Sequence, residues 1–176
     1  MPRVIEVPVP DSSRLFRALK VVHFCDAYQI SLYNPKLNVQ DAYEAVFGHA
    51  PRWVAALMAV RGVVAYALGL KHAANGVFQR VSGGVQGARY QIGQRVGLFL
   101  IQSIEANELI VGDNDKHLDF RISIYRSTMH GVETVTVSTA VEIHNAVGRL
   151  YMLVVKPFHR FIARTMMQRA ADAGRM

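Results

Sequence analysis

Near residue 144 the apolar residues of this chain change period, and that change limits the folds open to it. From His117 to Tyr125, Leu118, Phe120, Ile122 and Ile124 alternate with His117, Asp119, Arg121 and Ser123. From Glu133 to His144, Val135, Val137, Val141 and Ile143 stand against Thr134, Thr136, Ser138 and Glu142. A period of two belongs to extended strands with one oily side and one wet side. Met129-His130-Gly131 reads as the turn between them, so the two runs form an antiparallel pair. From His144 to Ala171 the spacing becomes helical. Leu150, Tyr151, Val154, Val155, Phe158, Phe161, Ile162, Thr165 and Met166 gather on one side, with Lys156, Arg160 and Arg164 on the other. A broad apolar stripe needs a broad apolar partner, and the oily face of the sheet supplies one. This arrangement turns Tyr151, Phe158 and Ile162 toward the strands. Asn145 or Gly148 starts the helix; Pro157 kinks it or divides it into two. Arg169 and Arg175 suit the negative pole at its end.

The preceding residues supply more of both element types. Val4 to Val9 alternates weakly, and Pro8 and Pro10 confine it to an edge or arm. Ser12 to Leu19 reads as a short helix, and Asp26 to Tyr33 as the first firm strand, ended by Asn34-Pro35. Asn38 caps a helix with Asp41 in its first turn and Gly48 beyond its end. A second helix runs from Pro51 to Gly69 with Trp53, Leu57, Val60, Val64 and Leu68 as its stripe. Residues 53–70 approach the apolarity of a membrane span, but Arg61 interrupts them, so a buried helix is expected and no transmembrane segment. Residues 71–94 form a loop around Gly83, Gly84 and Gly87, with short strands at Val77–Val81 and Arg89–Ile92. Those glycines follow no firm strand and open no helix, so they are not a dinucleotide fingerprint. Arg95–Ile104 and Glu108–Gly112 are further strands, joined by Glu105-Ala106-Asn107.

Composition narrows the function classes. A chain of 176 residues suits one domain with a sizeable core. No signal-type apolar stretch follows Met1, and Cys25 is the single cysteine, which favours a reducing, cytoplasmic setting. The net charge is +7, yet no dense basic cluster carries interleaved aromatics, so no specific nucleic-acid partner is expected.

The order strand, two helices, meander, long terminal helix resembles the helix-grip fold of the Bet v 1-like (START, SRPBCC) superfamily. Residue strings narrow the resemblance. They are Pro51-Arg52-Trp53-Val54 with Leu57-Met58 and Arg61, then Gly69-Leu70-Lys71; Asn107 to Gly112 with Asp115 and His117 to Arg121; and Asn145, Gly148 to Tyr151 and Pro157-Phe158-His159. Together they are similar to a bacterial family of unknown function, family 2867. The resemblance implies an α+β helix-grip domain over residues 1–176. Its parts would be an arm (1–25), a first strand (26–33), two helices (38–69), an antiparallel meander (77–144) and a C-terminal helix (148–172). No catalytic residues come with it.

Three constellations group residues that can carry chemistry. Asp113, Asp115, His117 and Asp119 have the spacing of one side of an extended segment, but a calcium loop would need a bidentate Glu where Ile124 stands. A solvated face is the reading, and no metal is expected. His144, Asn145, Arg149 and His159 surround the helix entrance, with Asn145, Arg149 and His159 as polar candidates at a cavity mouth. Trp53, Leu118, Phe120, Val137, Val141, Tyr151, Phe158 and Phe161 are candidate walls of an apolar cavity between sheet and helix. The leading expectation is binding of a small hydrophobic or amphipathic molecule there, with no cofactor. A small enzyme working through His159, Arg149 or Asp119 is one alternative. An interaction module that docks Lys156, Arg160 and Arg164 on an acidic partner or a membrane is the other. Oligomeric state is left open.

Overall fold

Extended segments satisfy their backbone hydrogen bonds by pairing edge to edge. A computed structural model, which describes residues 2–51, 53, 54, 56, 57, 59, 62, 63, 90–97 and 99–176, joins them into one seven-stranded antiparallel sheet. The strands are β1 (Ile5–Glu6), β2 (Phe24–Ser31), β3 (Arg95–Val96), β4 (Phe99–Ile104), β5 (Glu108–Asn114), β6 (Leu118–Met129) and β7 (Val132–Ile143). Their order is β1-β2-β7-β6-β5-β4-β3, so the first long strand lies beside the last. Met129 faces Val132 across the β6–β7 turn. His130 and Gly131 both take positive φ there, 50° and 79°, which matches the twist of a two-residue hairpin.

Helix α1 (Val39–Phe47) starts as its capping residue dictates, the Asn38 side chain accepting from the Gln40 and Asp41 amides. Positions 53, 54, 56, 57, 59, 62 and 63 are helical as well. The expected stripe residues Val60, Val64 and Leu68, the stop at Gly69, and the glycines at 83, 84 and 87 lie outside the described residues. Helix α2 (Ala146–Asp172) is one unbroken helix through Pro157, capped by Asn145 and not by Gly148. No helix among the described residues is long and apolar enough to cross a membrane.

Two expectations about faces change. The first concerns α2, which buries Gly148, Tyr151, Met152, Ile162, Met166, Met167, Ala170 and Ala171. Leu150, Val154, Phe158 and Phe161 are instead exposed. The helix is rolled toward its small residues. A Cβ on Gly148 would come within 2.3 Å of the His117 carbonyl oxygen, so the first turn sits directly on the start of β6. A wheel weighted by large apolar side chains cannot see such a contact.

The second concerns the sheet's polar face, which is not wet at its centre. His117, Arg121, Ser123, Thr134, Thr136 and Ser138 are buried. The N-terminal arm covers part of this face, with Leu15 and Leu19 packed on Ala140. Buried Glu108 locks the arm in place. Its Oε1 accepts from Ser13 Oγ and Ser123 Oγ, each at 2.6 Å, and its Oε2 accepts from the Arg14 amide at 2.9 Å. The alternation was that of a sheet with one apolar face; the other face carries a hydrogen-bonded polar layer beneath the arm.

Glu108→Ala is expected to lower the unfolding free energy by about 2–3 kcal/mol, since two buried hydroxyls and an amide lose their acceptor. Glu105→Ala, which removes only the exposed Arg14–Glu105 ion pair, should cost less than about 1 kcal/mol. Urea denaturation of both variants checks the contrast, and equal losses would refute it.

Candidate functional site

On the inner face of the sheet, one charged residue breaks an apolar row. Asp26 of β2 lies opposite Thr139 of β7, between the pairs Phe24–Val141 and Tyr28–Val137. The Asp26 side chain is only 2% exposed. Helix α2 answers it with His159, whose Nε2 lies 3.3 Å from Asp26 Oδ1 and 3.2 Å from Thr139 Oγ1. The other carboxylate oxygen, Oδ2, is buried without a partner. Phe24 meets the imidazole edge to face at 6.0 Å, and Lys156 Nζ sits 5.3 Å from the centre of the Phe24 ring. Burial pushes the Tyr28 phenol up to about 12; Asp26 and then Glu6 add to this, while Arg160 and Arg164 oppose it.

The geometry limits the chemistry of this cluster. A carboxylate–histidine–hydroxyl relay uses both ring nitrogens, one for the carboxylate and the other for the nucleophile. Here Asp26 and Thr139 converge on the same nitrogen. The imidazole therefore ties α2 to β2 and β7, and does not carry a proton between them.

The residues grouped around the helix entrance are drawn to different partners. Asn145 Oδ1 caps the Gly148 amide at 3.2 Å and meets His117 Nδ1 at 3.0 Å. His144 Nε2 lies 3.6 Å from Asp119 Oδ2, and Arg149 is exposed. His159 joins Asp26 instead of these three. Asp119, Glu142 and His144 place one ligand atom each within 4.8 Å of one another, a spacing that could close on a metal ion. Glu142 Oε2 is already engaged by the Lys20 amide at 2.9 Å and Asp119 Oδ1 by the Asp115 amide at 3.1 Å. Asp113 pairs with Arg95 at 2.8 Å.

The apolar candidates are equally dispersed. Leu118, Val141 and Tyr151 pack with Phe24 and Met152 in one cluster, while Val137 belongs to the main core. Phe120 touches both clusters. Trp53 is half-buried, its ring 5.6 Å from that of Phe161.

What sequence reasoning missed lies on the outside of α2. Leu150, Leu153, Val154, Phe158 and Phe161 are 53%, 75%, 48%, 52% and 62% exposed. Their successive spacings of three, one, four and three residues along the helix put them in one stripe. Exposed Lys156, Arg160 and Arg164 flank it. The available signal was a helix with more large apolar residues than one buried face can hold. Contiguous exposed apolar surface with a polar rim marks interaction sites.

Residues 18–166 match the model of a family described as "Protein of unknown function (DUF2867)". No curated protein matches the chain, and no solved structure does.

His159→Ala should cost about 3 kcal/mol, because it strands a buried carboxylate. Asp26→Ala removes that burden, so the double variant should be less destabilised than the two singles together, with a coupling of about 1–2 kcal/mol. Additive losses in a double-mutant cycle would mean the pair is not a tie. Base should act through Tyr28: the unfolded phenol ionises near 10 and the folded one near 12. Stability is thus complete below the lower value and falls as pH rises through the window between them. Tyr28→Phe should reduce that fall in alkaline melting curves and leave the part due to Tyr43 and Tyr90, whose phenols burial also raises.

Proposed function

The chain belongs to the DUF2867 family, and from that premise we propose that it is a binding module that seats the outward face of α2 on an anionic membrane surface. The carrying observation is the exposed stripe Leu150–Leu153–Val154–Phe158–Phe161 with Lys156, Arg160 and Arg164 along its edge. Full burial of one such side chain contributes about 1.5–3 kcal/mol. A basic residue close to an anionic leaflet adds about 1 kcal/mol. An apolar stripe with a cationic border is the pattern of helices that lie in the bilayer interface. Charge complementarity selects the occupant. A second copy docked through the same stripe would bring both cationic borders into one self-complementary contact, whereas anionic headgroups neutralise them.

Two other readings have less support. The order of the strands with α2 last agrees with a helix-grip arrangement, in which a small hydrophobic ligand would lie between sheet and helix. The side chains on that face are largely packed against one another, which favours a partner outside α2. An enzyme built on His159 would have to work through Nδ1, because Nε2 is taken up by Asp26 and Thr139.

Co-sedimentation with vesicles is the test. Phosphatidylglycerol vesicles should bind the protein and phosphatidylcholine vesicles should not, with binding weakened by added salt. Leu153→Asp or Phe158→Asp should weaken binding at least tenfold at an unchanged melting temperature. Equal binding to both lipids, or unimpaired binding by both variants, would refute the proposal.

A further inference from the structure

The outward face of α2 ends in an open groove of about 760 Å³ between the helix's last turns and the Pro2–Arg3 segment. Arg3, Arg164 and Arg169 line it with Phe161, Gln168 and Asp172. We infer that this groove binds a phosphate-bearing group of a small molecule or a lipid head. The inference goes beyond membrane docking, because Arg3 and Arg169 lie outside the apolar stripe and its border.

One side chain, Gln168, holds the arm's wall of the groove in place. Gln168 Oε1 accepts from the Val4 amide at 3.0 Å, and its Nε2 donates to the Pro2 carbonyl at 3.1 Å and to Asp172 Oδ1 at 2.9 Å. The amide thus holds the backbone on both sides of residue 3, as a neighbouring strand would. Val4 is 1% exposed and Arg3 is exposed, so the clamp sends Val4 into the core and leaves Arg3 at the groove. Arg3 comes from the arm and the other two arginines from α2, so the cationic site depends on this clamp.

Charge decides the class of ligand. Among the described residues, none of the three guanidiniums is held in an ion pair. Asp172 removes one positive charge, and the C-terminal pole of α2 contributes about half a negative charge more. More than one positive charge is left in the groove. The planar guanidinium fork suits the oxygens of a phosphate, and several forks together favour a doubly charged anion over a single carboxylate. The volume leaves room for an organic body beside the Phe161 ring.

Calorimetry on the full chain at low salt tests the inference, with inorganic phosphate, glycerol 3-phosphate and acetate as probes. Either phosphate compound should bind at least tenfold more tightly than acetate. Arg3→Gln and Arg169→Gln should each weaken that binding about tenfold at an unchanged melting temperature, and Leu153→Asp should leave it intact. A second arm compares vesicles carrying phosphatidic acid with phosphatidylglycerol vesicles of matched charge. A preference for phosphatidic acid that is lost in Arg3→Gln and Arg169→Gln identifies a lipid head as the source; soluble binding without that preference identifies a free phosphate compound. No binding of the soluble phosphates up to millimolar concentration together with no preference for phosphatidic acid overturns the inference, as does full retention of either signal in both arginine variants. Loss of all vesicle binding in Leu153→Asp with calorimetric binding retained would separate this site from the docking stripe.

Discussion

The approach of α2 to the carbonyl of His117 decides what this molecule shows to its surroundings. Gly148 has no side chain, and a methyl group there would overlap the carbonyl oxygen. The first turn therefore lies against the start of β6, held by Asn145, which caps Gly148 and meets the His117 ring. Farther along, Ala170 and Ala171 are buried against the core. The helix is rolled onto its small residues and its methionines, and the roll leaves leucines, valine and phenylalanines on the outside. Exposure of that stripe follows from close packing of the opposite side.

The opposite face of the sheet obeys a related rule. Hydroxyls and an arginine on alternate positions would ordinarily face water. Here part of that face lies beneath an arm whose own apolar residues are few, Leu15 and Leu19 foremost. The contact holds because the polar atoms at the junction of arm and sheet have partners. Glu108 accepts from both layers, and Ser12 Oγ meets Tyr125 OH at 2.7 Å. An arm held by hydrogen bonds to a carboxylate has a defined register, whereas an arm held by apolar contact alone could slide.

Period and caps carried most of the fold in the sequence. The alternation around Met129-His130-Gly131 set the β6–β7 pair, and Asn38, Gly48 and Asn145 marked helix ends because capping is local chemistry. The candidate site was less legible. His159 stood out in the sequence, but its partner Asp26 lies 133 residues away and is brought near only by the pairing of β2 with β7. The roll of α2 depends on a glycine against a distant carbonyl. Gln168 likewise gains its meaning only when the start of the chain returns to it. Long-range approach, not residue type, carries this information.

Pro157 bears out the orientation of α2 from the backbone side. A proline inside a helix leaves the carbonyl four residues earlier, that of Leu153, without its donor, and its ring crowds that turn. Buried, such a carbonyl would stay unsatisfied at a cost of about 1–3 kcal/mol. Leu153 is 75% exposed and Pro157 is exposed beside it, so water can serve the freed carbonyl. The helix tolerates the proline because the break falls on its wet side. At helical spacing the proline ring falls between Leu153 and Phe161 and adds to the apolar surface there. A residue that would be destructive on the inner face of α2 thus enlarges the contact area of its outer face.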